Sequence, residues 1–122
     1  MSYRDLIAWK KGMQLVGAIY DAADAFPQHE IDGLTSQLRR AAVSIPSNFA
    51  EGQAHYTNPE FIRFLRHARG SLAEIETRIL ISQDRGYVPK ARAHELIHQT
   101  DELGRVISGL ISSLKKSQDA GG

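Results

Sequence analysis

Apolar positions recur along this chain at alternating steps of three and four residues, in four separate stretches. The first holds Leu6, Trp9, Met13, Val16, Tyr20 and Ala23, and the second Leu34, Leu38, Ala41, Ile45 and Phe49. The third holds Leu65, Ala68, Leu72, Ile75, Ile79 and Ser82, and the fourth Leu96, Thr100, Leu103, Ile107, Leu110 and Leu114. That spacing predicts four amphipathic helices, each with one face to bury against a neighbour. No stretch alternates convincingly with period two. Breakers separate the stripes: Phe26-Pro27, Gly52, the capping sequence Thr57-Asn58-Pro59-Glu60, and Gly86 followed by Val88-Pro89. The predicted helices span about 4–25, 33–51, 58–85 and 89–116, within one domain covering residues 1–116. Residues 117–122 are small and polar and are expected to form a flexible tail. Short connections favour antiparallel neighbours, so the expected fold is all-α, an up-down-up-down four-helix bundle.

The first helix carries a second stripe, Ala8, Gly12, Leu15, Ile19 and Ala22, roughly 115° around from the first. Two readings stay open. The two stripes form one wide face inside the bundle, or the second is a seam for another subunit.

Composition narrows the class. With 42% hydrophobic and 24% charged residues, the 122-residue chain is globular rather than disordered. It has no cysteine, which excludes disulfides and thiolate metal sites and fits a reducing, cytoplasmic compartment. No apolar run is long enough to cross a bilayer, and the acid-bearing N-terminus is unlike a signal peptide. The expectation is no membrane partner. Fifteen basic against fourteen acidic side chains leave a formal charge of +1, which says nothing for nucleic acid unless the charge is unevenly placed.

The second helix contains Pro46, which removes a backbone donor and is expected to kink or loosen the helix near Ala42. Arg40, Ser44, Ser47 and Glu51 share one face of that helix, with Gln37 and Asn48 at its edges. A solvated face ordinarily carries long side chains of high helix propensity. Two serines around a proline fit that role poorly, and a close-packed contact would explain them. Lys10, Lys11, Arg39, Arg40, Arg63, Arg66 and Arg69 are scattered in sequence. Antiparallel pairing about a turn near His55 would gather them toward one end as a candidate nucleic-acid patch. The bland alternative is surface charge offset by Glu51, Glu60 and Glu74.

His94-Glu95-Leu96-Ile97-His98 matches the zinc-protease pattern. Both histidines point away from the fourth helix's apolar stripe, and Asp101 stands where the extended motif needs glycine. A third ligand and a sheltered cavity are missing from the pattern. Glu95 and His98 also form one Glu-x-x-His, but the di-iron site needs two copies, facing inward. No other catalytic motif is present, so no enzyme activity, metal or cofactor is expected. Zinc binding through His94 and His98 remains as a remote alternative.

The stretch Gln37-Leu38-Arg39-Arg40-Ala41-Ala42-Val43-Ser44-Ile45-Pro46-Ser47-Asn48-Phe49-Ala50-Glu51-Gly52 resembles the signature of the bacterial 23S rRNA intervening-sequence proteins. Leu6 through Trp9-Lys10, Phe26-Pro27 followed by Glu30, Phe61 through Leu65, Gly70 through Glu76, and Gly86-Tyr87 are similar to it as well. The resemblance runs from about Tyr3 to Leu114. It implies an antiparallel four-helix bundle assembled as a homopentamer, which would give the second stripe of helix one a use. It brings no catalytic residues. The family name records gene location within ribosomal RNA insertions, and a related group, the accessory proteins of diversity-generating retroelements, binds nucleic acid and a reverse transcriptase. The motif positions here are Arg40, Ser44, Pro46, Asn48 and Glu51, with Glu74 on the neighbouring helix. An Arg40–Glu74 ion pair between helices two and three is the specific expectation. The functional expectation is a homo-oligomeric scaffold binding RNA, DNA or a protein that acts on them. The alternative is a protein–protein adaptor that never touches nucleic acid.

Overall fold

The structure, a computed structural model, describes residues 2–54 and 57–121, with side chains through residue 117. The turn expected near His55 lies outside the described residues. Four helices follow one another: α1 (Ile7–Ala23), α2 (Leu34–Ala54), α3 (Asn58–Asp84) and α4 (Lys90–Gly121). Contacts run α1 to α2, α2 to α3, α3 to α4 and α4 back to α1, with none across the diagonals among the described residues, so the helices stand at the corners of a square. Neighbours are antiparallel. Gly12 meets Ile45 and Pro46 while Asp24 meets Arg39; Ser44 meets Ser71 while Gly52 meets Phe61. Asn58 Nδ2 donates to Leu114 O while Leu72 lies against Gly104; Lys11 pairs with Glu102 while Arg92 reaches Ala18.

The stripes of α2 and α3 are buried as read. In α4, Leu96, Thr100, Leu103 and Ile107 are buried, joined by Ile111, while Leu110 and Leu114 sit at the margin. Helix α1 reverses the expectation. Its buried residues are Ala8, Gly12, Leu15, Ile19 and Ala23, so the proposed oligomer seam is the intramolecular core face. Ala22 is half-buried beside it. The other stripe is divided: Met13 is 45% and Tyr20 38% exposed, Trp9 and Val16 pack half-buried against the core, and Ala23 is buried. The reason is steric. A Cβ on Gly12 would lie 3.3 Å from the Phe49 ring and 3.6 Å from Pro46 Cδ, so only the stripe of small residues lets α1 approach α2 this closely. Trp9 on the other stripe is too large for that position and lies half-buried at the edge of the core.

Element ends depart from the reading in three places. Ser2 and Asp5 cap one another around a 3₁₀ turn, Tyr3–Asp5, and Leu6 is extended, so α1 begins only at Ile7. Gly52 does not close α2. It is buried within the helix, where its missing side chain makes room for Phe61 and Phe64 of α3. Helix α4 continues to Gly121, through the segment read as a tail. Pro46 does not interrupt α2. Ser44 and Ser47 donate to the carbonyls of Ala41 and Val43, and Asn48 to that of Ser44, bonding the carbonyls around the missing donor.

Gly86 ends α3 as expected, at φ 78°. Tyr87 N donates to Ser82 O at 2.8 Å and Gly86 N to Gln83 O at 3.0 Å, the paired bonds of a Schellman cap. The cap aims Tyr87 at the α1–α2 corner. Its hydroxyl donates to Glu30 Oε2 at 3.0 Å, and Glu30 Oε1 accepts from the first backbone N–H of α2, Leu34 N. One carboxylate thus fastens two connections at the same end of the bundle. Tyr87→Phe removes one part-buried hydrogen bond and is expected to lower unfolding free energy by about 1 kcal/mol in a urea titration.

Candidate interaction surfaces

Two features stand out on the surface: an apolar ridge and groove system along α1 and α2, and an uneven distribution of charge along the bundle axis.

The outward stripe of α1 and the outer side of α2 leave an apolar strip open. Met13, Val16 and Trp9 face Val43, Pro46 and Ala50 across a shallow groove, and Tyr3 closes one end. The groove continues past Val43 to Tyr20 and Ile31 and is edged by Arg39 and Arg40. Val43 is 41% and Ile31 43% exposed. Exposed apolar strips of this kind are candidate contact surfaces.

The helix-two face singled out in sequence divides by function. Ser44 Oγ lies 2.7 Å from both Ala41 O and Ser71 Oγ, so it donates to the carbonyl and accepts from the α3 serine. That contact accounts for one small residue. Arg40, Ser47 and Glu51 point outward and exposed. The expected Arg40–Glu74 pair does not form. Glu74 instead accepts from Arg78 at 2.7 Å within α3, and Arg40 has no ion pair or hydrogen bond. The i,i+4 partner is already aligned along one helix, whereas Arg40 lies on the outer side of α2.

Five of the seven candidate basic residues, Lys10, Lys11, Arg63, Arg66 and Arg69, lie in the same half of the bundle but point different ways, and Arg39 and Arg40 lie in the other half. Lys11 turns to α4 and pairs with Glu102. That hydrogen bond and the lysine's charge hold the Glu102 carboxyl below the usual carboxylate range. The pair's contribution is therefore present at neutral pH and is lost as the pH falls through the lowered pKa. Arg39 pairs with Asp24 at 2.9 Å and stacks over Tyr20. Arg63 pairs with Glu60 and lies over Phe64. Arg69 faces the groove between α3 and α4. Lys10 and Arg66 are exposed without partners.

The α2–α3 register explains the dispersal. Ser44 opposite Ser71 sets Arg39 and Arg40 beside residues 75 and 76, about 9 Å along the axis from Arg69. Divided at the plane through Gly12, Ser44–Ser71 and Gly104, the bundle is strongly polar. Residues 1–14, 45–70 and 104–122 hold nine of the fifteen lysines and arginines but four of the fourteen acids. The other half therefore carries six basic and ten acidic side chains, placing Arg39 and Arg40 in acidic surroundings. Arg4, Arg105, Lys115 and Lys116 belong to the basic end and were missed. Counting charge by half-helix under the antiparallel pairing would have found them. Leu114 meets the start of α3, so α4 runs about 10 Å beyond it, carrying exposed Lys115 and Lys116 past the bundle end.

His94 and His98 are exposed on α4, and among the described residues no three His, Cys, Asp or Glu side chains converge as a metal site. No described helix is long and apolar enough to cross a membrane.

Fold and surface together define a four-helix bundle whose distinctive surface features are ridges, grooves and a charged end. The chain belongs to the 23S rRNA-intervening sequence protein family, whose sequence profile matches residues 4–109. The fold is shared with a solved protein of unknown function from the S23 ribosomal protein family of Bacteroides thetaiotaomicron. The TM-score is 0.80 at 16% identity, over 87% of this chain and 96% of that one. No curated protein matches the chain in sequence.

Proposed function

We propose that this protein is a non-enzymatic, cytoplasmic homo-oligomer, a pentamer as the family resemblance implies, whose basic end binds RNA or DNA. The segregation of nine basic residues against four acids at one end carries this reading. A net charge of +1 spread evenly would attract no polyanion, whereas a basic end repeated on every copy gains by avidity. Exposed Tyr3 against Trp9, with Arg4 over the indole, adds aromatic surface of the kind on which bases stack.

Phosphate contacts by three unpaired cations of this end, Lys10, Lys115 and Lys116, would give a salt slope near −3, a roughly fortyfold loss of affinity between about 50 and 200 mM salt. Fluorescence anisotropy with a short structured RNA measures it. Lys10→Glu with Lys115→Glu and Lys116→Glu is expected to abolish binding, while Arg85→Glu with Lys90→Glu at the acidic end leaves it unchanged. Equal binding by both variants, or none by the native chain, refutes the reading. The exposed apolar strip along α1 and α2 favours a second reading, a protein adaptor, whose partner would be retained at high salt.

A further inference from the structure

We propose that copies of this chain join head to tail, the outer ridge of α2 on one copy seating in the groove between α3 and α4 of the next. The inference rests on the homo-oligomer reading and adds to it the two surfaces that meet.

The ridge consists of Arg40, Val43, Ser47 and Glu51, all exposed. Ser47 bonds its own helix's Val43 carbonyl beside Pro46 and reaches no other helix, so it presents a short side chain outward where a solvated face would carry a long one. Short residues at the middle of a ridge let a second helix pair come close. The α3–α4 groove supplies the matching hollow. Its floor is Leu72 and Gly104, with exposed Ala73 on its α3 rim, and a Cβ added at Gly104 would meet only Leu72, at 3.8 Å.

Charge fixes the register. Arg69 and Arg105 line the groove toward the basic end, Glu76 and Asp101 toward the acidic end, and none of the four makes an ion pair or hydrogen bond within its own chain. Arg40 and Glu51 are likewise without ion pair or hydrogen bond, and their order is reversed: the arginine lies in the acidic half and the glutamate in the basic half. The heights agree as well. Ser44 opposite Ser71 and Leu72 opposite Gly104 set Arg40, Glu76 and Asp101 at one level. Two copies standing side by side with parallel axes therefore bring Arg40 against Glu76 and Asp101. The same placement brings Glu51 toward Arg66 and Arg69. Ridge and groove are different surfaces on different sides of the square, so the contact is heterologous. Repeated with a constant rotation it closes a ring in which every basic end points the same way.

Sedimentation velocity on the full chain tests this with charge reversals at exposed positions, each variant's fold being checked by its helical circular dichroism. Arg40→Glu alone, and Glu76→Lys with Asp101→Lys, are each expected to weaken assembly at least about tenfold. The three substitutions combined in one chain restore complementary charge and are expected to recover the native mass. An assembled native chain that tolerates both reversals, or loses assembly without recovery in the combined variant, overturns the ridge-in-groove contact and leaves the homo-oligomer intact. A native chain that stays monomeric overturns both.

Discussion

Phe49→Ala is expected to remove about 4 kcal/mol of unfolding free energy, which lowers the melting temperature by roughly 15 °C. Phe49 is fully buried in α2, and its ring edge fills the space opposite Gly12 on α1. Truncation loses the transfer free energy of the ring and leaves a cavity between two helices that the Gly12 contact holds close together. Neighbouring side chains cannot reach across: Ile45 and Leu15 are already packed, and Gly12 has none. Thermal and urea unfolding of the variant against the native chain measure the loss. A deficit below about 2 kcal/mol would mean that α1 and α2 collapse onto the hole, and that their spacing is not set by this contact.

Gly52→Leu is expected to cost about 3 kcal/mol by overpacking, although leucine is the better helix former. The Cβ alone would lie 2.9 Å from Phe61 Cδ1 and 3.0 Å from Phe64 Cβ. The second of these atoms is fixed to the α3 backbone, so relief requires the helices to move apart. Gly70, by contrast, has nothing within 4 Å of an added Cβ, and Gly70→Ala is expected to stabilise the chain by roughly 1 kcal/mol. The two glycines are indistinguishable by propensity. Opposite signs for the two substitutions in the same urea assay would establish that α2–α3 spacing, rather than backbone preference, places Gly52. A stabilising Gly52→Leu would contradict it.

That pair of glycines also shows where sequence reasoning reaches its limit. The stripes of α2, α3 and α4 were legible because each of those helices carries one unambiguous apolar face. Helix α1 carries two, and periodicity alone selects neither. The choice falls to the small stripe because Gly12 must face Phe49, a contact between residues 37 positions apart. By sequence alone Gly52 marks a helix end, because glycine punctuates many helices. Its real role depends on Phe61 and Phe64 across the α2–α3 turn. The left-handed cap at Gly86 was legible because its cause is local.

The candidate site divides in the same way. The serines of α2 fit a solvated face poorly, and Ser44 makes its contact with Ser71. The Arg40–Glu74 pair failed because Arg78, one turn along α3, reaches Glu74 first. The basic patch was gathered about an approximate turn. The side-by-side register moves Arg39 and Arg40 to the opposite half and brings in Arg105, Lys115 and Lys116 instead. Periodicity yields which face of a helix is buried. It does not yield axial offset, and the location of charge on a bundle depends on that offset.

The most direct test of the whole account is the solution mass of the native chain by light scattering, at low and high salt, with and without a short structured RNA. The account predicts a pentamer at both salt concentrations, to which RNA adds mass at low salt and from which it departs at high salt. A monomer that ignores RNA under every condition would contradict it, leaving the α2 ridge, the α3–α4 groove and the charged end without the roles assigned to them.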